Sequence, residues 1–283
     1  MARAASSDAV AVLLKPMQNT LGALSAGNVA AGRRIVPMPV VPWRLTWRRA
    51  AMIISNSHRF IFVHILKTAG TSICAALDPT LQWNDVILGG TGFGEKVNAP
   101  YKARFGLRKH SSAREIRAVV GEDVWSRYFT FAFVRHPYTR VVSFYTWLGE
   151  AIRRNADRGS PVWSWPSTQA FVESPTFSDF IRNEKFLQTD AARPQTESVC
   201  NEEGRCLVDF VGRFEDLDAG MRTLSDRLGL ALQPLDRQNP SADSRPLAEF
   251  FFSDADYAHL HELFRRDFDH FGYDPAFRFP KPA

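Results

Sequence analysis

The first group of residues that could do chemistry lies in residues 60–72, FIFVHILKTAGTS. An apolar run predicts a strand over 59–64, and a helix is predicted from 71 to 78. Gly70 lets the backbone approach a ligand closely, and the free N–H groups of a helix start favour an anion. Lys67 adds a positive charge and the hydroxyls of Thr68, Thr71 and Ser72 add donors. The stretch predicts a phosphate-binding loop, with an ordinary capped strand-turn-helix as the alternative.

The spacing in this loop is not that of a nucleotide triphosphatase. That loop reads Gly-x-x-x-x-Gly-Lys-Ser/Thr. Here Ile61 stands at the position of the first glycine, and Lys67 precedes the glycine instead of following it. The residues therefore predict a different kind of anion site.

A second group lies in residues 129–147, FTFAFVRHPYTRVVSFYTW. The apolar run 129–134 is typical of a buried parallel strand, and Pro137 suits the first turn of a helix predicted over 137–154. A triphosphatase would carry an Asp at such a strand end to hold Mg²⁺. Arg135 stands there instead, and its guanidinium suits a second phosphate. A surface ion pair is the alternative for Arg135.

Together the two stretches resemble the donor-binding motifs of sulfotransferases, in particular the family of carbohydrate and heparan 2-O-sulfotransferases and their bacterial relatives. HILKTAGTS is similar to the 5′-phosphosulfate loop, and VRHPYTRVVSFY is similar to the 3′-phosphate motif, with Arg135 and Ser143 eight residues apart. The likeness extends over about 58–275, through KHSSAREI, RPQTESV, VDFVGRFEDL and DFDHFGY. Leu66 replaces the usual proline, and His136 replaces the usual asparagine.

The resemblance implies a fold, a donor and a set of donor contacts. The fold would be α/β, with a P-loop NTPase-like central parallel sheet flanked by helices. The co-substrate would be 3′-phosphoadenosine 5′-phosphosulfate (PAPS), and no metal is expected. The implied contacts are Lys67, Thr68, Ala69, Gly70, Thr71, Ser72, Arg135 and Ser143.

One of seven histidines is the predicted general base. An acceptor hydroxyl needs a base with a pKa near neutrality, which favours histidine. His110 follows a strand predicted over 104–109, at the sheet edge where ligands bind in parallel sheets, and the resemblance also places a catalytic histidine in this region. A residue at a helix entry is the alternative. We predict that His110 and Lys67 are catalytic; His64 and His136 are expected to have other roles.

Charge and composition predict no nucleic-acid partner. The net charge is +5, but residues 1–51 hold seven basic residues and one acid, so residues 52–283 sum to −1. Residues 1–51 are predicted to be a disordered extension, with a transit peptide or translation from an upstream start as alternatives, and 52–283 a single domain. The run AVAVLL is too short to span a membrane; association with a membrane surface stays open, and the predicted location is cytoplasmic.

The remaining elements follow from local signals. Ser112 and Glu115 form a capping box for a helix over 113–120. Cys200 and Cys206 flank the turn NEEG and are expected to face each other across a hairpin, as reduced thiols in a cytosol, with a disulfide in an oxidising compartment as the alternative. Gln195, Thr196 and Arg213 have open roles, the last as a ligand or an ion-pair partner of Glu215 or Asp216. Residues 81–106, with one short strand, and residues 155–175 are predicted to be loops on the acceptor side, with local packing as the alternative for 155–175. Other predictions are helices at 176–185, 216–229 and 254–269, and a strand at 207–213.

The sequence thus predicts transfer of a sulfuryl group to a hydroxyl of a carbohydrate or glycoconjugate. Two alternatives remain: a nucleotide-dependent P-loop kinase, and a non-catalytic module that binds nucleotide or glycan. Nothing in the sequence indicates which sugar accepts the group or what the oligomeric state is.

Overall fold

The computed structural model describes residues 50–157, 159–232, 235 and 253–279. Most of the predicted extension at 1–51, and most of the predicted loop at 230–250, lie outside these residues. Five strands and twelve α-helices occur in the described part. The strands are β1 Ala51–Ser55, β2 Phe60–Val63, β3 Val86–Gly89, β4 Phe129–Val134 and β5 Phe210–Arg213.

The helices occupy the segments between and after the strands. Short 3₁₀ turns lie at Asp78–Thr80, Pro161–Ser164, Asp190–Ala192 and Phe214–Asp216. The α-helices are α1 Gly70–Leu77, α2 Gly92–Phe105, α3 Ala113–Val120, α4 Glu122–Trp125, α5 Pro137–Arg154, α6 Pro166–Glu173, α7 Phe177–Arg182, α8 Glu184–Leu187, α9 Thr196–Val199, α10 Leu217–Leu228, α11 Asp254–Leu263 and α12 Arg265–Phe271.

The strands form one sheet in the order β3-β1-β2-β4-β5. β2, β4 and β5 are parallel, whereas β1 pairs antiparallel with both β2 and β3. The α/β class is confirmed. Because β1 is antiparallel to both of its neighbours, β3 runs in the same direction as β2, and the predicted parallel sheet contains one antiparallel strand, β1, among the described residues.

Both faces of the sheet are buried, which explains the continuous apolar runs of its central strands. Phe60, Phe62, Phe131 and Phe133 point to one face, where α1 and α10 cover them. The intervening residues Ile61, Val63, Ala132 and Val134 point to the other face, where helices including α3, α5, α11 and α12 pack. The result is a three-layer arrangement with the sheet in the middle.

The register brings the candidate site together. Val63 pairs with Ala132, and Val134 pairs with Arg213, so β2, β4 and β5 end at the same edge. The loop at 64–69, Arg135 and the end of β5 therefore leave the sheet side by side.

Several predicted elements agree with the structure and others need correction. The helices at 113–120 and 137–154 and the strand at 129–134 have the predicted bounds. The helix predicted at 254–269 is two helices separated at Phe264, and the one at 176–185 is interrupted at Asn183. The predicted loop 155–175 contains α6.

The largest error concerns the segment before His110. Residues 92–105 form helix α2, and the strand predicted over 104–109 is wrong. The helix begins at Thr91, whose Oγ1 accepts from the Gly94 N–H at 2.9 Å, and ends at Gly106 in a left-handed conformation. Pro100 lies inside it and Gly94 is its one buried residue, so no apolar periodicity marked it as a helix.

Within the described residues, no helix combines the length and apolar character that crossing a bilayer requires.

Candidate active site

The loop between β2 and α1 has the geometry of an anion cradle. Lys67 (φ 68°) and Ala69 (φ 66°) adopt left-handed backbone conformations that non-glycine residues seldom use. Ala69 provides no side-chain cap for α1. Within the described part of the chain, the N–H groups of Gly70, Thr71 and Ser72 donate to no protein acceptor. These N–H groups and the positive end of the helix dipole are free for an anionic ligand.

The hydroxyls of this loop divide into two kinds. Thr68 is fully buried and its Oγ1 donates to the carbonyl oxygen of Ile65 at 2.9 Å. That hydroxyl therefore holds the loop in shape, which differs from its predicted part as a ligand donor. Thr71 and Ser72 are partly exposed at the start of α1. Both residues are therefore accessible to a ligand that binds at the start of this helix.

Lys67 lies beside the aromatic face of α5. Its Nζ is 5.3 Å from the centroid of the Trp147 ring, within the range of a cation–π contact. Burial, with a smaller contribution from the positive charge of Arg135, lowers the pKa of Lys67 to about 8, and Glu150 opposes the shift. An anionic ligand would stabilise the charged form of Lys67, because it would supply the negative charge that this pair of cations lacks.

Arg135 is the second cation of the site. Its Nε donates to Thr139 Oγ1 at 3.0 Å, and its guanidinium lies over the Phe214 ring at 3.9 Å. Burial lowers its pKa to about 10, opposed by Glu215. No carboxylate forms an ion pair with it among the described residues. The Nη1 of Arg135 also donates to the Lys67 carbonyl oxygen at 3.5 Å, and the other guanidinium donors are available to a phosphate.

One face of α5 joins the two cations. Thr139, Ser143 and Trp147 follow one another at four-residue spacing, which places them in a row along a helix. The row begins at the Arg135 contact and ends at the Lys67 contact. Ser143, the predicted partner of Arg135, is partly buried in the middle of this row.

His110 reaches the same edge from the loop between α2 and α3. Its ring centroid lies 4.6 Å from that of His64, and its Nδ1 is 3.4 Å from the His64 carbonyl oxygen. A proton on Nδ1 that faces this carbonyl leaves Nε2 as the acceptor nitrogen. Burial, with help from the positive charge of Lys109, lowers the pKa of His110 to about 4. The imidazole is therefore neutral at physiological pH, but this pKa lies below the near-neutral value predicted from the sequence for a general base.

His64 connects His110 to the anion cradle. It is 5% exposed, and burial followed by the charge of His110 holds its pKa well below the ordinary value. A Cβ added to Gly70 would lie 2.3 Å from His64 Cδ2. The glycine is thus needed because the imidazole packs directly on the start of α1. The sequence placed His64 just before the loop and favoured a structural role over an approach to the donor, but it did not indicate the contacts with Gly70 and His110.

The side chain of Gln195 holds the backbone of Arg135 in position. The Gln195 side chain accepts from the Arg135 N–H at 2.9 Å and donates to the Arg135 carbonyl oxygen at 2.8 Å. The backbone N–H groups of Gln195 and Thr196 donate to the buried Asp267 at 2.8 and 2.9 Å. The open role of these two residues is therefore positional, since they tie the end of β4 to α12.

Two other sequence candidates face away from the loop. The His136 ring packs among aromatic side chains of the C-terminal segment, and its Nε2 is 3.2 Å from the Asp274 carbonyl oxygen. Arg213 donates to the Phe271 carbonyl oxygen and lies over the Tyr273 ring. Its expected ion pair with Glu215 or Asp216 does not appear among the described residues.

A cavity of about 350 Å³ opens next to His64 and His110. Its walls are mostly polar and charged, and neither of the predicted acceptor loops, 81–106 and 155–175, contributes to them. Arg140 is 2% exposed, and its Nε has no hydrogen-bond partner among the residues that the structure describes. Besides the two histidines, the lining includes Arg108, Ser112, Arg114, Arg140, Asp190, Arg193, Gln195, Glu197, Ser198, Cys200, Asn201, Glu202 and Arg266.

Among the described residues, no three His, Cys, Asp or Glu side chains are grouped to hold a metal ion. The arrangement offers two cations, a helix start and a neutral imidazole beside a polar cavity. It is suited to binding a ligand with two anionic groups and to removing a proton from a hydroxyl.

Comparison with known proteins identifies the family. No curated protein and no solved structure matches the chain. The family model described as "Sulfotransferase family" matches residues 50–274, which include every element of the site. The chain therefore belongs to the sulfotransferase family.

Proposed function

We propose that the protein transfers a sulfuryl group from PAPS to a hydroxyl of a carbohydrate or glycoconjugate, in the cytosol, with His110 as the general base. The observation that carries the proposal is the placement of Lys67 and Arg135. Both are largely buried cations at neighbouring strand ends, and neither has an ion-pair partner among the described residues. Desolvated cations without counterions favour a ligand that brings two negative groups.

The residues of the site fit PAPS in two parts. The cradle of residues 67–72, with free N–H groups and Lys67, is suited to the 5′-phosphosulfate. Arg135 and Ser143 are suited to the 3′-phosphate, since the guanidinium keeps donors free after its bonds to Thr139 and to the Lys67 carbonyl oxygen. When bound, the donor supplies the activated sulfuryl group.

His110 and Lys67 would divide the work of the transfer. His110 Nε2 accepts the proton of the acceptor hydroxyl as the new oxygen–sulfur bond forms. The Lys67 ammonium balances the negative charge that develops on the departing phosphate oxygen. Sulfuryl transfer has the same needs as phosphoryl transfer, alignment and stabilisation of spread charge.

A carbohydrate acceptor is supported by the cavity beside His110. The lining contains several arginines together with Asp, Glu, Ser, Asn and Gln side chains. Such a surface provides many donors and acceptors for the hydroxyls of a sugar. The cavity is open to the imidazole that would take the proton.

Binding of adenosine 3′,5′-bisphosphate, measured by calorimetry, tests the donor site first. We expect it to bind without metal, and Mg-ATP to bind more weakly. Transfer is then measured from radiolabelled PAPS to a panel of glycans and glycolipids. Preference for Mg-ATP would indicate a kinase, and bisphosphate binding without transfer to any acceptor would indicate a non-catalytic module; either outcome overturns the proposal.

Substitution of His110 separates catalysis from donor binding. His110→Ala should lower kcat by roughly 10²–10⁴, the usual contribution of a general base, and leave the affinity for adenosine 3′,5′-bisphosphate unchanged. His261→Ala, on α11, is a control that should retain turnover. A His110→Ala protein with full turnover would exclude this role.

Substitution of Arg135 tests the assignment of the 3′-phosphate. Arg135→Ala should weaken adenosine 3′,5′-bisphosphate by about 1.5–3 kcal/mol, the range for a hydrogen bond to a charged group. Adenosine 5′-phosphate, which lacks the 3′-phosphate, should be affected much less. Equal losses for both ligands would show that Arg135 acts elsewhere.

A further inference from the structure

Cys200 and Cys206 lie opposite each other in a short hairpin. They form an antiparallel bridge, as the sequence predicted. The Leu207 N–H donates to the Val199 carbonyl oxygen at 2.8 Å, and the Asn201 N–H donates to the Arg205 carbonyl oxygen at 2.9 Å. The hydrogen bonds thus join the residues on either side, and the two cysteines form the non-hydrogen-bonded pair.

This register is favourable for a disulfide. Cα atoms of a non-hydrogen-bonded antiparallel pair lie about 4.5 Å apart, and disulfides span roughly 4.4–6.8 Å between Cα atoms. Both cysteines are free thiols in this structure. A bond between their sulfur atoms therefore needs no rearrangement of the hairpin backbone.

The two thiols have different surroundings. Cys206 is exposed, whereas Cys200 is 5% exposed and lines the cavity beside His110. Cys200 Sγ is 3.5 Å from His270 Nε2. A hydrogen bond from Cys200 and the neighbouring His270 lower the pKa of Cys206, and the same bond raises the pKa of Cys200. Cys206 is thus the reactive and accessible thiol of the pair.

Cys74 is the contrasting cysteine. It lies fully buried in α1, its Sγ accepts from the Ala51 N–H at 3.3 Å, and burial raises its pKa to about 12. A thiol in that state is inert towards oxidants. It supplies an internal control within the same chain.

We infer that Cys200 and Cys206 form a thiol–disulfide redox site in the wall of the cavity, oxidised by a small-molecule disulfide of the glutathione class. The Cys206 thiolate attacks one sulfur of the small disulfide and releases one small thiol. Cys200 then gives its proton to His270 and attacks the Cys206 sulfur, which releases the second small thiol. Two protein thiols become one disulfide, and one small disulfide becomes two thiols.

Closure of this bond affects the cavity through the hairpin. Residues 199–207 carry Asn201 and Glu202 in the cavity wall, and Glu202 pairs with Arg114 of α3 at 2.5 Å. A disulfide at 200–206 fixes the position of that wall. Its effect on acceptor binding rests on the proposed function, whereas the redox site itself does not.

Mass spectrometry of the full chain tests the site. The purified protein is incubated with mixtures of oxidised and reduced glutathione, trapped by alkylation and digested. We expect wild type and Cys74→Ala to form one intramolecular 200–206 disulfide. Cys200→Ser should accumulate a glutathione adduct on Cys206, and Cys206→Ser should react about tenfold more slowly at Cys200. Faster reaction at Cys200, or adducts without the internal disulfide, would overturn the proposal.

Kinetics with the oxidised and reduced forms test the link to the cavity. Oxidation should change the KM for the acceptor severalfold and leave adenosine 3′,5′-bisphosphate affinity unchanged, with reversal by reductant. An unchanged acceptor KM would overturn the coupling to the cavity. Absence of transfer by the reduced enzyme would count against the proposed function alone, because the disulfide is measured by mass.

Discussion

Burial without counterions is the feature that prepares individual residues of the site for chemistry. The positive charge of Arg135 adds to burial in lowering the pKa of Lys67, and Arg135 Nη1 is 3.5 Å from the Lys67 carbonyl oxygen. His110 is held neutral by its surroundings. An anionic donor would stabilise both cations, and an uncharged imidazole is ready to accept a proton. The two cations are therefore more stable with an anionic ligand bound than in the free protein.

The pH dependence of kcat/KM for the donor follows from these shifts. This parameter reports the free enzyme. Activity needs a charged Lys67 and a neutral His110, so it should fall above about pH 8, where Lys67 loses its proton, and below about pH 4, where His110 gains one. Initial rates at low PAPS across this range provide the measurement.

Lys67→Arg identifies the group responsible for the alkaline limb. An arginine stays protonated throughout the accessible range, so the limb should disappear even if the rate at the plateau is lower. A limb near pH 8 that persists in Lys67→Arg would mean that a different group titrates there.

At the level of elements, the junction between β2 and α1 depends on a contact between His64 and Gly70. The imidazole fills the space where a side chain at residue 70 would lie, with Nε2 2.4 Å from the position of an added Cβ. The same imidazole lies against His110. The strand end, the helix start and the base are therefore packed as one unit.

Gly70→Ala should displace this unit. The new methyl group overlaps His64, so we expect a loss of adenosine 3′,5′-bisphosphate affinity by about tenfold or more, comparable to the cost of overpacking a core. Gly92→Ala is a matched control, because a Cβ there meets no atom within 4 Å. Calorimetric titration of both variants gives the comparison.

Removal of the imidazole in the same background tests the cause. In Gly70→Ala/His64→Ala the overlap with the imidazole is gone, so the affinity for adenosine 3′,5′-bisphosphate should recover. The recovery should be partial, because the new Cβ still lies 2.8 Å from the Cβ of Ala50. Neighbouring sites that share a contact are expected to couple in such a cycle. Strict additivity of the two losses would mean that the imidazole is not the obstacle.

How far the sequence predicted each element depended on whether a local signal decided its structure. The capping box of Ser112 and Glu115 fixed the start of α3 correctly. Helix α2 has almost no buried face and contains Pro100, so neither periodicity nor propensity indicated it. Some contacts of the site could not be predicted for a related reason. Those of His64, Gln195 and Trp147 join segments that are far apart in sequence, and only the folded chain brings them together.

At the scale of the whole molecule, a line of contacts runs from the sheet edge to the C-terminal helices. Gln195 links the backbone of Arg135 to Asp267 of α12, and Arg140 donates to the Arg193 carbonyl oxygen at 2.7 Å while it lies over the Phe264 ring. The site is therefore built on the packed interior, with His64 buried and His110 partly exposed. Protonation of these histidines is then coupled to global stability.

Acid should destabilise the fold through His64 and His110. Burial lowers the pKa of both below the ordinary value of 6.5, so the unfolded chain binds more protons as the pH falls. The contribution of these two histidines to the free energy of unfolding is therefore fully present above about pH 6.5, and it is lost as the pH falls towards about 4. With about 1.4 kcal/mol for each pKa unit, and allowance for its partial exposure, His110 contributes on the order of 2 kcal/mol to this loss.

Urea denaturation between about pH 7 and about pH 5 measures that loss. Wild type should lose stability steeply, whereas His110→Gln, which cannot take up the proton, should lose less over the same interval. Acid effects common to both proteins cancel in the difference. An identical pH dependence in the two proteins would mean that His110 is protonated in the folded state as readily as in the unfolded chain, and that its imidazole is not held neutral for proton transfer.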